Sequence, residues 1–208
     1  MDPLIIELGV ASYLAGGIPT GYLLARKLRG IDIREHGSGN PGAANVYRVV
    51  GKGAGAATLF VDALKGFFPV LLARHYFPAD YRVQIACGAL AIIGHVWTIF
   101  LRFRGGKGVA TSAGVFLALL PKPMIGAIGV FILGVALTGH ISVGSMAAAA
   151  LFPFFAALLH EPWPLTLMGA VAGALILVKH IPNFRRLVLG DELNFKHGSH
   201  LEKNEKTQ

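Results

Sequence analysis

The sequence predicts an all-α polytopic membrane protein with about seven transmembrane helices, several of them short, joined by glycine-rich cytoplasmic loops. The 208 residues are 54% hydrophobic and only 14% charged, with a mean hydropathy of +0.59. A soluble domain carries about 25% charged residues. Long charge-free runs recur along the chain, and its basic residues concentrate in alternate loops. This pattern excludes a soluble enzyme, a coiled coil and a disordered chain.

The first apolar segment, residues 8–25, contains no charged residue. It follows Asp2 and Glu7 and has no basic start, so we interpret it as a retained helix rather than a signal peptide. The run 123–159 would form a helix of about 55 Å, too long for one crossing, and Thr138-Gly139-His140 is the predicted break. If the two shortest segments are re-entrant, the count falls from seven spans to five. The apolar segments are 8–25, 53–73, 83–101, 108–121, the two halves of 123–159, and 162–178.

The distribution of basic residues predicts the orientation. With the N-terminus outside, fifteen of the nineteen Lys and Arg residues lie on the inner side, and only Arg74, Arg82 and Lys122 lie outside. Inner loops of membrane proteins carry this excess. We therefore expect a multi-pass membrane protein with its N-terminus outside and its functional groups on the cytoplasmic face. We expect one membrane domain, 1–195, and a polar tail, 196–208, without a fixed fold.

The first inner segment, GIDIREHGSGNPGAANVYRVVGKG, is rich in glycine. Gly37, Gly39 and Gly42 match a dinucleotide-binding pattern, but membrane helices flank them instead of strands. Glycines still allow backbone amides to converge on an anion. We expect Ser38 or Asn40 to cap a helix with Pro41 in its first turn. The alternative interpretation is a flexible connector. The candidate anion-binding residues here are Ser38, Gly39, Asn40, Asn45 and Arg48, the last two on one helix face.

The second inner segment is LRFRGGKGVAT, which lacks the pattern of an ATP-binding P-loop. We expect the exposed amides of Gly105, Gly106 and Gly108 to surround an anion, with Lys107 and a helix N-terminus beside it. Arg102 and Arg104 are interpreted as membrane anchors.

Ionisable residues also occur within the predicted spans. Asp62 and Lys65 are three residues apart in the second span and could form a structural ion pair. In the alternative interpretation, Lys65 adds positive potential to an anion site. His95 is equally open between a hydrogen-bonded structural residue and a substrate contact.

The third inner segment, KHIPNFRRLVLGDE, follows the last span directly. His180 and Asn183 could both point at a substrate near the interface, although Pro182 makes a single helix face uncertain. Arg185 and Arg186 suit anionic headgroups.

The chain contains a single cysteine, Cys87. One cysteine excludes an intramolecular disulfide and a zinc cluster.

Four motifs together resemble the bacterial acyl-phosphate:glycerol-3-phosphate acyltransferases: GSGNPGAANVYR, DALKG at 62–66, GHVWTIFLRFRGGKGVAT and KHIPNFRRLVLGDE. The resemblance covers nearly the whole chain, with Ala44 where Thr is usual and Thr98 where Pro is usual. It implies a seven-helix enzyme of the bacterial cell inner membrane that acylates the 1-hydroxyl of glycerol 3-phosphate from acyl phosphate, giving 1-acylglycerol 3-phosphate. It implies no metal, no cofactor and no acyl-CoA.

Acyl phosphate has a good leaving group, so catalysis reduces to positioning two anions and stabilising an oxyanion. We expect direct transfer without an acyl-enzyme, with Lys107, His180 and Asn183 as catalytic residues. His180 and a substrate phosphate are alternative bases.

An organic-phosphate transporter and a lipid-binding scaffold are the other hypotheses for the function. The net charge of +8 in so apolar a chain indicates anionic substrates and membrane lipid rather than nucleic acid. No obligate protein partner is evident.

Overall fold

The computed structural model describes residues 2–194, so the predicted tail 196–208 lies outside the described residues. This part of the chain folds into ten α-helices and two short 3₁₀ turns, Ile33–Glu35 and Ile99–Leu101. The α-helices are α1 (Pro3–Gly17), α2 (Thr20–Arg29), α3 (Ala43–Val49), α4 (Lys52–Tyr76), α5 (Tyr81–Val96), α6 (Val109–Leu119), α7 (Pro121–Thr138), α8 (Ile141–Leu158), α9 (Trp163–Lys179) and α10 (Ile181–Leu189).

The predicted fold class is confirmed, because every predicted apolar segment folds as helix. The count of seven spans is not confirmed. By length and composition, five helical segments are long and apolar enough to cross a membrane, or six if α9 and α10, bent by 49° at His180, form one span. Helix α6 has 11 residues and is about 16 Å long, roughly half the hydrocarbon thickness of a bilayer. The predicted segments that are too short by this measure are 108–121, which forms α6, and 162–178, which forms α9.

The first predicted span is a broken helix rather than a continuous one. Pro19 lacks an amide hydrogen and restricts the residue before it, so α1 ends at Gly17 and α2 begins at Thr20. The carbonyls freed by the break are satisfied from other elements. Lys65 Nζ donates to the Ile18 carbonyl at 2.7 Å, and Thr98 Oγ1 donates to the Gly17 carbonyl at 2.6 Å. The break thereby anchors α4 and the turn after α5 to the first span.

The predicted break in the long apolar run is confirmed at Gly139. This residue has a φ of +73° and ends α7, and α8 begins two residues later. Helices α7 and α8 then pack side by side, as do α4 with α6 and α1 with α5. Much of the apolar surface of α7 faces outward, including Ile125, Ile132 and Leu137, which is the surface expected of a helix in contact with lipid.

The first inner segment is folded, and the flexible-connector interpretation is wrong. Ile33 and Val46 are completely buried, and they pack with Ala25 from α2 and with Val49 and Val50. This small apolar cluster fixes α3 against the C-terminal end of α2 and the N-terminal end of α4. Arg48, on α3, is thereby placed at that end of the helical bundle.

Candidate active site

A polar cavity of about 110 Å³ lies where the three inner segments meet the first turns of α6 and α8. It brings together groups far apart in the sequence. Nine predicted site residues line it: Ser38, Asn40, Asn45, Arg48, His95, Lys107, Gly108, His180 and Asn183. The predicted site residues Lys65, Gly105 and Gly106 line a smaller neighbouring crevice instead, and Gly39 lies outside both.

The loop before α3 is organised by the Asn45 side chain. Its Oδ1 accepts from the Ser38 amide at 2.9 Å, and its Nδ2 donates to the carbonyls of Ile33 and His36 at 3.3 and 2.9 Å. Asn45 is almost completely buried, so its hydrogen-bonding capacity is used within the loop. Its position in the cavity wall therefore supports the shape of the loop more than direct contact with a ligand.

The predicted helix cap in this loop is wrong. Helix α3 begins at Ala43, after Gly42, and no side chain caps it. Asn40 Oδ1 instead accepts from the Gly42 amide at 2.9 Å, and Pro41 lies two residues before the helix. This local turn satisfies the asparagine within the loop and leaves α3 to begin later than predicted.

Within residues 2–194, Arg48 is a cation without an ion-pair partner. It lies on the same helix as Asn45, as predicted, and lines the cavity. Within the described residues its buried Nε makes no hydrogen bond. Burial lowers the pKa of Arg48 from its ordinary value. A buried guanidinium nitrogen without an acceptor is a strong candidate for an anion contact, because such a group is costly to leave unpaired.

The expected role of the amides of Gly105 and Gly106 is wrong. They donate to the carbonyls of Val96 and His95 at 3.2 and 3.1 Å and are not free for an anion. These glycines are required because a Cβ at Gly105 would overlap the His95 carbonyl, and one at Gly106 would overlap the His95 ring. The loop thus lies directly against the end of α5, which fixes the position of Lys107.

Gly108 lies where the sequence predicts, at the N-terminus of a helix. Its φ of +85° is unfavourable for other residues, and it directly precedes α6. Gly108, Val109 and Ala110 all line the cavity. Because the first amides of a helix have no carbonyl within it, the N-terminus of α6 presents donors and a partial positive charge there.

Lys107 belongs to a hydrogen-bonded chain across the site. Its Nζ donates to Asn183 Oδ1, and Asn183 Nδ2 donates to Glu192 Oε1 at 2.6 Å. Glu192 Oε2 accepts from Arg186 Nε at 2.8 Å. Burial lowers the pKa of Lys107 to about 8, which nearby Glu192 partly opposes. The ammonium is therefore oriented and only partly compensated, as a group prepared for an anionic ligand would be.

Sequence reasoning missed Glu192. Burial alone would raise its pKa, but hydrogen bonds from Asn183 and Arg186 hold the pKa below its ordinary value. The sequence feature that could have indicated Glu192 is an acidic residue shortly after α10, a helix that carries Arg185 and Arg186. Two serines at the start of α8, Ser142 and Ser145, also line the cavity and carried no recognisable motif.

His180 is held in one tautomer. Its Nδ1 lies 2.8 Å from the Ile176 carbonyl, which can only accept, so Nδ1 carries the proton. The other ring nitrogen, Nε2, is then an acceptor when the ring is neutral. His180 is buried and lines the cavity, so the geometry suits either orientation of a hydroxyl or removal of its proton.

Asp62 and Lys65 form the structural ion pair that was one of the two alternatives. Lys65 Nζ lies 2.8 Å from Asp62 Oδ1, and both side chains are buried. Lys65 thus pairs with the Asp62 carboxylate and also donates to the Ile18 carbonyl at the break in the first span.

His95 contacts the next helix through its ring. Its Nδ1 lies 3.0 Å from Thr111 Oγ1, and this contact links α5 to α6.

An apolar cavity of about 420 Å³ adjoins the polar one between α4, α6, α7, α8 and α9. The two cavities share the lining residues Leu59, Val109, Ala110, Phe131 and Ser145. A ligand with a charged head and an apolar tail would fit this arrangement, its head among the cationic groups and its tail between the helices.

Comparison with known proteins shows the family of the chain. Residues 6–190 match the family model described as glycerol-3-phosphate acyltransferase. The glycerol-3-phosphate acyltransferase of Geobacter sulfurreducens is 51% identical over 91% of this chain and 96% of that protein. The protein of the same name from Geotalea daltonii is 46% identical over 92% and 97%.

Solved structures give the same result. The glycerol 3-phosphate form of PlsY (YgiH), an integral membrane glycerol 3-phosphate acyltransferase, matches with a TM-score of 0.88 and 37% identity, over 92% of this chain and 96% of that chain. Its lysophosphatidic acid form matches with a TM-score of 0.85 and 36% identity, over 92% and 95%. The chain is thus a multi-pass membrane protein that belongs to the glycerol-3-phosphate acyltransferase family.

Proposed function

We propose that this protein transfers a fatty acyl group from acyl phosphate to the 1-hydroxyl of sn-glycerol 3-phosphate, releasing phosphate and 1-acylglycerol 3-phosphate. The observation that carries the proposal is the junction of the two cavities. A polar chamber containing Arg48 and Lys107 opens into an apolar one through shared walls. Two phosphates and one acyl chain require this combination. Family membership and the two PlsY structures support the acyltransferase over the transporter hypothesis.

In this proposal the two sides of the polar cavity hold the two substrates. Arg48 and Ser38 bind one phosphate, in a loop shaped by Asn40, Asn45 and the turn at Gly39. Lys107 and the N-terminus of α6 meet the second anion and stabilise charge on the carbonyl oxygen. His180 and Asn183 orient glycerol 3-phosphate.

The reaction balances without an external reagent. The 1-hydroxyl oxygen attacks the acyl carbonyl carbon, the bond from that carbon to the phosphate oxygen breaks, and phosphate leaves with the electron pair. The hydroxyl proton passes to a base, for which His180 Nε2 and a substrate phosphate oxygen are the two candidates. Holding both substrates in reacting geometry is the main contribution of the protein.

The basic residues support an orientation with this site on the cytoplasmic face of the bacterial inner membrane. Among residues 2–194, twelve of the sixteen Lys and Arg residues lie in or directly beside the three inner segments, which meet at the polar cavity. Both substrates carry phosphate and would be supplied from the cytoplasm.

The donor distinguishes this proposal from other acyltransferase chemistry. Purified protein in detergent is supplied with glycerol 3-phosphate and either palmitoyl phosphate or palmitoyl-CoA, and lysophosphatidate is measured by mass spectrometry. We expect product from palmitoyl phosphate alone. Comparable turnover with both donors would refute the assignment of the donor, and no product from either would refute the proposed function.

A further inference from the structure

We propose that Phe116 and Phe152 form the floor of the apolar cavity and set the longest acyl chain that the enzyme uses efficiently. This inference rests on the proposed function and extends it to substrate specificity. The two side chains are 3% and 5% exposed, and their ring centroids lie 4.5 Å apart. They lie in the main core cluster, where the packing is tight.

The floor position follows from the direction of four helices. Val109, Phe131 and Ser145 line both cavities and so mark the junction, and Ile176 lies one turn before His180 on α9. On each of these four helices, the residue seven positions farther from the polar cavity also lines the apolar cavity. These residues are Phe116 on α6, Met124 on α7, Phe152 on α8 and Gly169 on α9. Seven residues of helix measure about 10 Å.

The combined length of the two cavities along α8 matches an ordinary membrane acyl chain. From Ser142 in the polar cavity to Phe152 is ten residues of helix, or about 15 Å. The hydrocarbon core of a bilayer is about 30 Å thick, so one leaflet is about 15 Å. A chain that fills one leaflet therefore reaches the two rings, and a longer chain has to displace them or bend.

The side of the cavity is more open than its floor. Leu117, Ile128 and Ile132 line it and are 42%, 38% and 60% exposed, so a chain can enter laterally from the membrane. The buried ring pair confines the far end of the chain.

Substitution of Gly169 should shorten the apolar cavity by displacing the Phe152 ring. A Cβ at this position would lie 2.5 Å from Cε1 of Phe152. An alanine there has to push the phenylalanine ring away from α9, into the space available to the acyl chain. Leucine in place of Phe152 has the opposite effect, because it removes ring volume from the floor.

The test compares lauroyl, palmitoyl and eicosanoyl phosphate as donors for the purified protein and its variants. For Phe152→Leu we expect the kcat/KM ratio of eicosanoyl to palmitoyl phosphate to rise roughly tenfold, the effect of about one methylene group in an apolar pocket. For Gly169→Ala we expect the ratio of palmitoyl to lauroyl phosphate to fall by a similar factor. Val70→Ala is the control, since Val70 lies in the same core cluster but does not line the cavity, and it should leave both ratios unchanged.

The kcat/KM ratio between two donors, measured on one variant, is insensitive to partial misfolding because an inactive fraction lowers both values equally. If Phe152→Leu does not fold, Phe116→Leu repeats the test. Active variants whose chain-length ratios equal those of the original protein would overturn the inference. So would a shift of both variants in the same direction. An original protein inactive with every acyl phosphate would instead overturn the proposed function.

Discussion

At the scale of single residues, the site depends on how one ammonium group is held. Lys107 follows two glycines that lie against His95, and its Nζ donates to Asn183, which Glu192 orients in turn. The sequence predicted Lys107, His180 and Asn183 because glycine, charge and position near a span are local signals. It could not predict that the Gly105 and Gly106 amides bond to α5, because that depends on tertiary contact. Glu192 was missed for the same reason.

Replacing Lys107 tests this arrangement. Lys107→Ala removes a charge-assisted contact worth about 1.5–3 kcal/mol, and each 1.36 kcal/mol is tenfold in rate. We expect kcat/KM to fall at least ten- to a hundredfold, and about a thousandfold if Lys107 also stabilises the oxyanion.

Arg102→Ala is the matched control, since Arg102 is exposed in the same loop and outside the polar cavity. It should reduce kcat/KM far less. Near-normal activity of well-folded Lys107→Ala together with severe loss in Arg102→Ala would contradict the assignment of this loop.

At the scale of elements, the broken first helix shows what apolar patterning can and cannot predict. A charge-free run indicated a helix over 8–25, and helix is what forms, but Pro19 divides it. The sequence contained the breaker, yet the partners that satisfy its free carbonyls are distant: Lys65 lies on α4 and Thr98 in the turn after α5. In the same way, Ser38 or Asn40 was predicted to cap the helix, but neither caps α3. Asn40 bonds within its own turn, because local competition for an amide is not visible in spacing.

The Asp62–Lys65 pair should be essential for the packing of these elements. Lys65→Met leaves a buried carboxylate unpaired and removes the donor to Ile18, so we expect a loss of about 3–5 kcal/mol in the free energy of unfolding. The measurement is denaturant unfolding in detergent.

The control is Arg34→Ala, which breaks the more exposed pair between Arg34 and Asp32. It should cost less than about 1 kcal/mol. If both variants were equally stable, the structural role of the buried pair would be wrong.

At the scale of the whole molecule, hydropathy and charge were sufficient for the fold class and for the grouping of the three inner segments. The number of crossings was not determined, because α6 and α9 are too short or too bent to be assigned by length. Nothing local in the sequence indicated that the first turn of α8 completes the polar cavity or that five helices enclose the apolar one. Both are consequences of packing between distant segments.

The orientation can be measured with single cysteines in a Cys87→Ser background. Exposed positions in the three inner segments, Glu35, Arg104 and Arg185, should react with an impermeant thiol reagent only after the inner membrane is permeabilised. Ala79, in the loop between α4 and α5, should react in intact cells and is the control. Labelling of the inner-segment positions from outside would contradict the cytoplasmic site.

The most direct test of the central claim, direct transfer between two substrates in one cavity, is rapid-mixing measurement of phosphate release. With palmitoyl phosphate and glycerol 3-phosphate together, we predict one phosphate released for each 1-acylglycerol 3-phosphate formed. With palmitoyl phosphate alone, release should not exceed its spontaneous hydrolysis, and the mass of the protein should be unchanged. A burst of phosphate equal to the enzyme concentration without glycerol 3-phosphate, accompanied by an acylated protein, would contradict the account.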